Sequence, residues 1–218
     1  MDKQGVMFKK NLLLLLLAVS GVAKAQTHEI KPVDKELIFS CFKQGDHGDC
    51  VSIGVIKAAI SVFGLYGVFK ERPVNDTLTE VTLKNGATYN ISQREFNIAD
   101  TIMHIRKGDA GIPEVMQYAK RCFAVMAKVK QTLENIPTYD ASIYRLVRIS
   151  SGKKSFYKLG LENNIVMLGY HPDFSDKCNV VGWRKKHVAY ICNGYMDNYG
   201  KKVPVTDDFY GGFMVVNK

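Results

Sequence analysis

Gln44-Gly45-Asp46-His47-Gly48-Asp49-Cys50 runs directly into Val51-Ser52-Ile53-Gly54-Val55-Ile56-Lys57-Ala58-Ala59-Ile60-Ser61-Val62-Phe63. The first part is a polar, glycine-containing loop. The second is apolar on nearly every face of a helix, and a helix apolar all round is a buried one. Gly64 and Gly67 close it. The stretch therefore predicts a buried helix over Cys50–Phe63 with a cysteine at its first turn. The first N–H groups of a helix lack internal partners, and the dipole is positive there. Both features favour a thiolate, the nucleophilic form of cysteine. Gln44 precedes Cys50 by six residues, so a compact loop brings its amide beside the sulfur. A donor in that place holds the oxygen that turns negative when a thiolate attacks a carbonyl.

Further along the chain, Thr79–Leu83 and Thr88–Ile91 alternate in the strand manner around Asn85-Gly86, a hairpin-turn pair. Pro113 opens an amphipathic pattern that runs to about Leu133, with Val115, Ala119, Cys122, Met126 and Val129 on one stripe. Residues 26–39 read as an extended lead-in. From Ile165 the character changes. Ile165–Tyr170, Val188–Tyr195, Lys201–Val205 and Phe213–Val216 read as strands, the last two separated by Asp207-Asp208 and Gly211-Gly212. Helices first and strands last predict an α+β fold. Its helical lobe covers about 40–160 and packs against a C-terminal antiparallel sheet over about 161–218.

A thiolate catalyst needs a base, normally histidine, within hydrogen-bond reach. The histidines are His28, His47, His104, His171 and His187. His28 lies in the lead-in, His47 in the cysteine loop, and His104 in an apolar stretch. His171 ends a strand before Pro172. His187 opens the strand His187-Val188-Ala189-Tyr190-Ile191-Cys192-Asn193-Gly194-Tyr195. A histidine at the start of a strand, backed by a sheet, is well placed to face a helix N-terminus across a cleft.

The 218 residues include 30 Lys+Arg against 21 Asp+Glu, a net charge of +9, and 46% are hydrophobic. A disordered or collagen-like chain would be poorer in apolar residues or richer in Pro and Gly. Only one strongly apolar run exists, so a multi-span membrane protein is excluded. That run lies within Met1–Ala25: Lys9-Lys10, six consecutive Leu from Leu12, then Ala23-Lys24-Ala25. It predicts a signal peptide cleaved after Ala25, an exported (secreted or periplasmic) protein, and no stable membrane insertion afterwards. Removing four Lys and one Asp with the leader lowers the charge from +9 to +6. The remaining basic residues are scattered, with Arg184-Lys185-Lys186 the tightest group, so no nucleic-acid partner is expected. The five cysteines are Cys41, Cys50, Cys122, Cys178 and Cys192. An oxidising compartment permits disulfides. Cys122 reads as core, Cys192 as core or bridged, and Cys41 and Cys178 as exposed or bridged. Spacing alone chooses no pairing. No metal-ligand spacing is present, so neither metal nor cofactor is expected.

Gln-Gly-x-x-Gly-Asp-Cys opening an apolar helix resembles the active-site loop of papain-like cysteine peptidases, closest to the calpain-type catalytic core. The strand His-x-Ala-Tyr with a later Gly-Tyr is similar to the histidine strand of that group. The resemblance covers roughly Gln44–Ile60 and Ile165–Val216. It implies a papain-like two-lobed fold, Cys50 as nucleophile, His187 as base and Gln44 as oxyanion donor, acting on protein or peptide substrates. The sequence departs from the family in two places. Val51 follows the cysteine where Trp is common, and no Asn-x-Trp-Gly follows the histidine. The residue that orients the histidine is therefore assigned to Asp207, with Asp208 and Asn198 as alternatives. A calcium requirement is not carried over, because no acidic loop with suitable spacing is present. Two other functions fit the same residues less closely. One is a different Cys-His acyl-transfer enzyme, transglutaminase-like or a cell-wall amidase or endopeptidase. The other is an inactive papain-like binding module.

Overall fold

The computed structural model describes residues 28–45, 48–103, 105–148 and 152–218. The leader Met1–Ala25, and with it the export reading, lies outside these residues, as do His47 and His104. The chain passes through α1 (Ile38–Cys41) and β1 (Phe42–Lys43) into α2 (Cys50–Phe63), which spans the residues its sequence predicts. Every residue of α2 but Cys50 and Val62 is buried, including Lys57. After α2 come β2 (Lys70–Asn75), β3 (Leu78–Thr82) and β4 (Thr88–Ser92), an antiparallel sheet in that order. The hairpin around Asn85-Gly86 joins β3 to β4, with Gly86 at a φ of 86° that suits glycine. Strand β2 was not legible, because Pro73 interrupts its pattern. Proline is tolerated there because β2 is an edge strand.

Next come α3 (Gln93–Ile102), started by a capping box between Ser92 and Glu95, and the short β5 (Arg106–Lys107). Helices α4 (Pro113–Leu133), α5 (Tyr139–Arg148) and α6 (Gly152–Tyr157) complete the helical part. The remaining strands are β6 (Ile165–Leu168), β7 (Val180–Arg184), β8 (His187–Cys192), β9 (Tyr195–Asn198), β10 (Lys201–Pro204) and β11 (Phe209–Val215). They form one antiparallel sheet in the order β10-β9-β8-β7-β11-β6. The fold is thus α+β, with an antiparallel sheet at the C-terminal end. The helical part also holds a small sheet of its own.

Strand β7 was not read from the sequence, and among the boundaries that differ two have a clear cause. The stretch from Val188 to Tyr195 is two strands, not one. Asn193 and Gly194 both have positive φ (51° and 75°) and reverse the chain between β8 and β9, the conformation of a tight hairpin turn. In the other case, Gly211-Gly212 lies inside β11 instead of before it. A Cβ on Gly211 would lie 2.5 Å from the Trp183 ring, so glycine is what lets that ring lie against the strand.

Helix α2 lies against one face of the large sheet, over β7, β8 and β11, with α4 and α6 also beside it. A single apolar cluster runs from Ile38 to Val215 and includes residues of both halves. A smaller cluster of Leu168, Phe174, Val180, Ala189, Ile191, Met196 and Phe209 is separate from it. Cys178 and Cys192 form the disulfide among the described residues. Cys41, expected exposed or bridged, is instead buried and free, as is Cys122. Apolar packing of α1 explains the correction: Ile38, Phe39 and Cys41 all belong to the main cluster. Among the described residues no helix is long and apolar enough to cross a membrane.

Candidate active site

The polar loop delivers Cys50 to the first turn of α2 half-buried, next to the sheet. Helix and sheet approach closely because Gly54 has no side chain. A Cβ there would lie 3.3 Å from Val181 Cγ1 and 3.7 Å from the backbone of Ala189 and Tyr190. This contact brings the start of α2 beside the start of β8. Cys50, His187 and Gln44 line one narrow cleft, together with Asp197 and Tyr199. Its free volume is about 10 Å³, barely that of a single water. The Cys50 thiol interacts with the backbone N–H of Val188, the residue after His187. Three of the four predicted site residues are therefore brought together.

Asp207 is not. It is exposed and lines a different hollow with His171, Pro172 and Asp173. Asp208 is paired with Arg184 at 3.4 Å and with the Thr206 hydroxyl. The carboxylate in the cleft is Asp197, on β9. The Asn193-Gly194 turn folds β9 back along β8, pairing Ile191 with Met196 and Cys192 with Tyr195. Met196 belongs to the smaller cluster, so its neighbour Asp197 faces the other way, toward α2. There its Oδ2 accepts from Lys57 Nζ at 2.7 Å and its Oδ1 from the Gly200 N–H at 2.6 Å. The sequence did hold a signal. Asp197-Asn198-Tyr199-Gly200 is similar to Asn-x-Trp-Gly with Asp for Asn and Tyr for Trp. Tyr199 even stacks on the His187 ring, with centroids 5.3 Å apart. Reading β8 and β9 as one strand hid it.

Burial sets the protonation of the pair. It pushes the Cys50 thiol up, opposed by the Val188 and Val51 amides. It pulls His187 down, helped by the Arg184 charge and opposed by Asp197. Both shifts favour neutral partners at rest, a thiol and an imidazole. The helix N-terminus expected to stabilise a thiolate is outweighed by desolvation. His187 Nε2 is buried with no hydrogen-bond partner among the described residues. So is the Asp49 carboxylate, whose burial lifts its pKa from the usual 3.8 to about 6.

A wider hollow of about 530 Å³ opens on the other side of Cys50 and His187. Phe156, Met167, Trp183 and Tyr210 supply its apolar lining. Lys153, Arg184 and Lys186 supply its charges, and no carboxylate is among the lining residues. No cluster of possible metal ligands occurs among the described residues. No protein-family model, curated protein or solved structure matches this chain.

Proposed function

We propose that this chain is a cysteine peptidase of papain-like design, with Cys50 as nucleophile, His187 as base and Asp197 behind the histidine. The observation that carries the reading is the shared cleft of Cys50, His187, Gln44 and Asp197. Nucleophile, base, oxyanion donor and orienting acceptor are the parts that acyl transfer through a thiol needs.

The steps follow from the residues. His187 takes the proton from the Cys50 thiol as the sulfur bonds to the substrate carbonyl carbon. The carbonyl electrons move to its oxygen, which accepts from the Gln44 amide and from the backbone N–H of Cys50 at the start of α2. The carbon–nitrogen bond then breaks, and His187 passes its proton to the departing amine. Water, deprotonated by His187, attacks the acyl carbon; the carbon–sulfur bond breaks, the acid leaves, and the sulfur takes the proton back from His187. The wide hollow beside Cys50 suits a substrate side chain that is apolar or aromatic. Its cationic rim favours a peptide with a carboxylate nearby. The disulfide Cys178–Cys192 supports the reading of an exported protein, because such bonds persist in oxidising compartments.

Digestion of an unfolded protein such as casein tests the reading. Hydrolysis by the wild type is expected, with loss in Cys50→Ala and His187→Ala. Full hydrolysis by Cys50→Ala overturns it, as does alkylation of Cys50 that is indifferent to His187.

A further inference from the structure

Lys57 is a charged residue in the middle of the most buried helix. Its side chain has no exposure, and that of Asp197 has 8%. Placing an ammonium there is costly unless it is paired and hydrogen-bonded. Here it is both. Nζ donates to Asp197 Oδ2 at 2.7 Å and to the Phe39 carbonyl at 2.8 Å, and lies 5.0 Å from the centre of the Phe42 ring. Lys57 follows Cys50 by seven residues, two helical turns, so both project from the same face of α2. One stands at the cleft and the other beneath it.

Asp197 lines the cleft beside His187. A bare carboxylate there would hold the imidazole in its protonated form. A base that must collect a thiol proton has to start neutral. We propose that Lys57 is a positioning residue that balances the charge of Asp197, so that the carboxylate beside His187 is held fixed and largely neutralised. The Gly200 N–H holds the other carboxylate oxygen, so the acceptor is fixed at both atoms. The pair then does what a neutral amide would do in that place, with orientation supplied by α2. The other groups near it are few. Cys41, at the end of α1, faces Lys57 as a burial-raised thiol. Arg184, Cys50 and Tyr199 face His187, and Lys153 and Lys186 line the hollow beside it. The inference rests on the peptidase reading for its purpose, although its central claim concerns the state of His187 alone.

Nuclear magnetic resonance of the His187 ring protons, followed through pH, tests it without any substrate. Lys57→Met is expected to raise the His187 midpoint by about one pH unit, since an unbalanced neighbouring carboxylate favours the cation. Lys57→Met with Asp197→Asn is expected to return the midpoint to within about 0.3 units of wild type, because one neutral acceptor replaces another. An unchanged midpoint in Lys57→Met overturns the proposal. If that variant does not fold, the double variant decides. A wild-type midpoint supports a pair that His187 senses as neutral, and a midpoint displaced by about a unit refutes it. Casein digestion adds a second readout. Lys57→Met/Asp197→Asn is expected to digest casein several-fold faster than Lys57→Met/Asp197→Ala, which lacks the polar group. Equal activity in the two double variants overturns the positioning role. Failure of the peptidase reading looks different: no casein hydrolysis in the wild type, with the His187 shifts intact.

Discussion

The Cys50 thiol lies against the backbone N–H of Val188, one residue past His187 on β8. The sulfur is thus held at the histidine's end of the strand. Burial there raises the thiol and lowers the imidazole. Both directions favour a thiol and a neutral imidazole at rest, and nucleophilicity rises as protons are withdrawn from the thiol. Iodoacetamide labelling of Cys50, followed by peptide mass spectrometry, should be slow at pH 6. It should climb through and above about pH 8.5, the ordinary thiol range. Fast labelling that stays constant below pH 7 would indicate a standing thiolate–imidazolium pair and contradict this balance.

Variants separate the cleft carboxylate from its competitor. Cys50→Ala should abolish hydrolysis, and His187→Ala should cost nearly as much, because nucleophile and base act as a unit. Gln44→Ala should slow turnover by about 100-fold, the usual loss of an oxyanion donor. Asp207→Ala, at an exposed site away from the cleft, should leave turnover near wild type. A collapse of kcat in Asp207→Ala would mean that Asp197 has been wrongly placed behind the histidine.

Asp49 predicts a stability profile. Its carboxylate is 1% exposed and has no hydrogen-bond partner among the described residues. Its folded pKa, about 6, is above the usual 3.8. A raised pKa means that ionisation is resisted by the fold, so this contribution is present below about pH 4 and lost by about pH 6. Asp49→Asn should therefore gain stability at pH 7, on the order of 2 kcal/mol, with little change at pH 4. Chemical denaturation at the two pH values measures this. A variant less stable than wild type at pH 7 would show that the ionised carboxylate is supported after all.

Gly54 sets the distance between helix and sheet. Gly54→Val would drive branched methyl groups into Val181 and the backbone of Ala189 and Tyr190. Helix α2 must then move, and a displacement of about 1 Å at a catalytic pair can cost on the order of 100-fold. The expected result is a fall in kcat much larger than any rise in KM. Unaltered kcat in a folded Gly54→Val protein would show that the contact does not position Cys50.

The elements that were legible are those whose information is local. The apolar run fixed α2 from Cys50 to Phe63, and Pro113 with its stripe fixed α4 to Leu133. Asn85-Gly86 announced a hairpin, and Gln44, Cys50 and His187, singled out by residue type and spacing, line one cleft. Asn193-Gly194 was equally local, but the β-branched and aromatic residues around it read as one continuous strand. Missing that turn hid Asp197, the carboxylate that lines the cleft with Cys50 and His187.

Sequence by itself therefore determined the α+β layout, the helix that begins at Cys50 and a strand close to His187, because periodicity and turn chemistry act over a few residues. Tertiary structure alone decided which carboxylate lines the cleft with His187 and that Lys57 is buried against it, 140 residues away in the chain. It also decided that desolvation outweighs the helix dipole at Cys50. These outcomes depend on strand register and on the exclusion of water, and both exist only once α2 has closed onto the sheet.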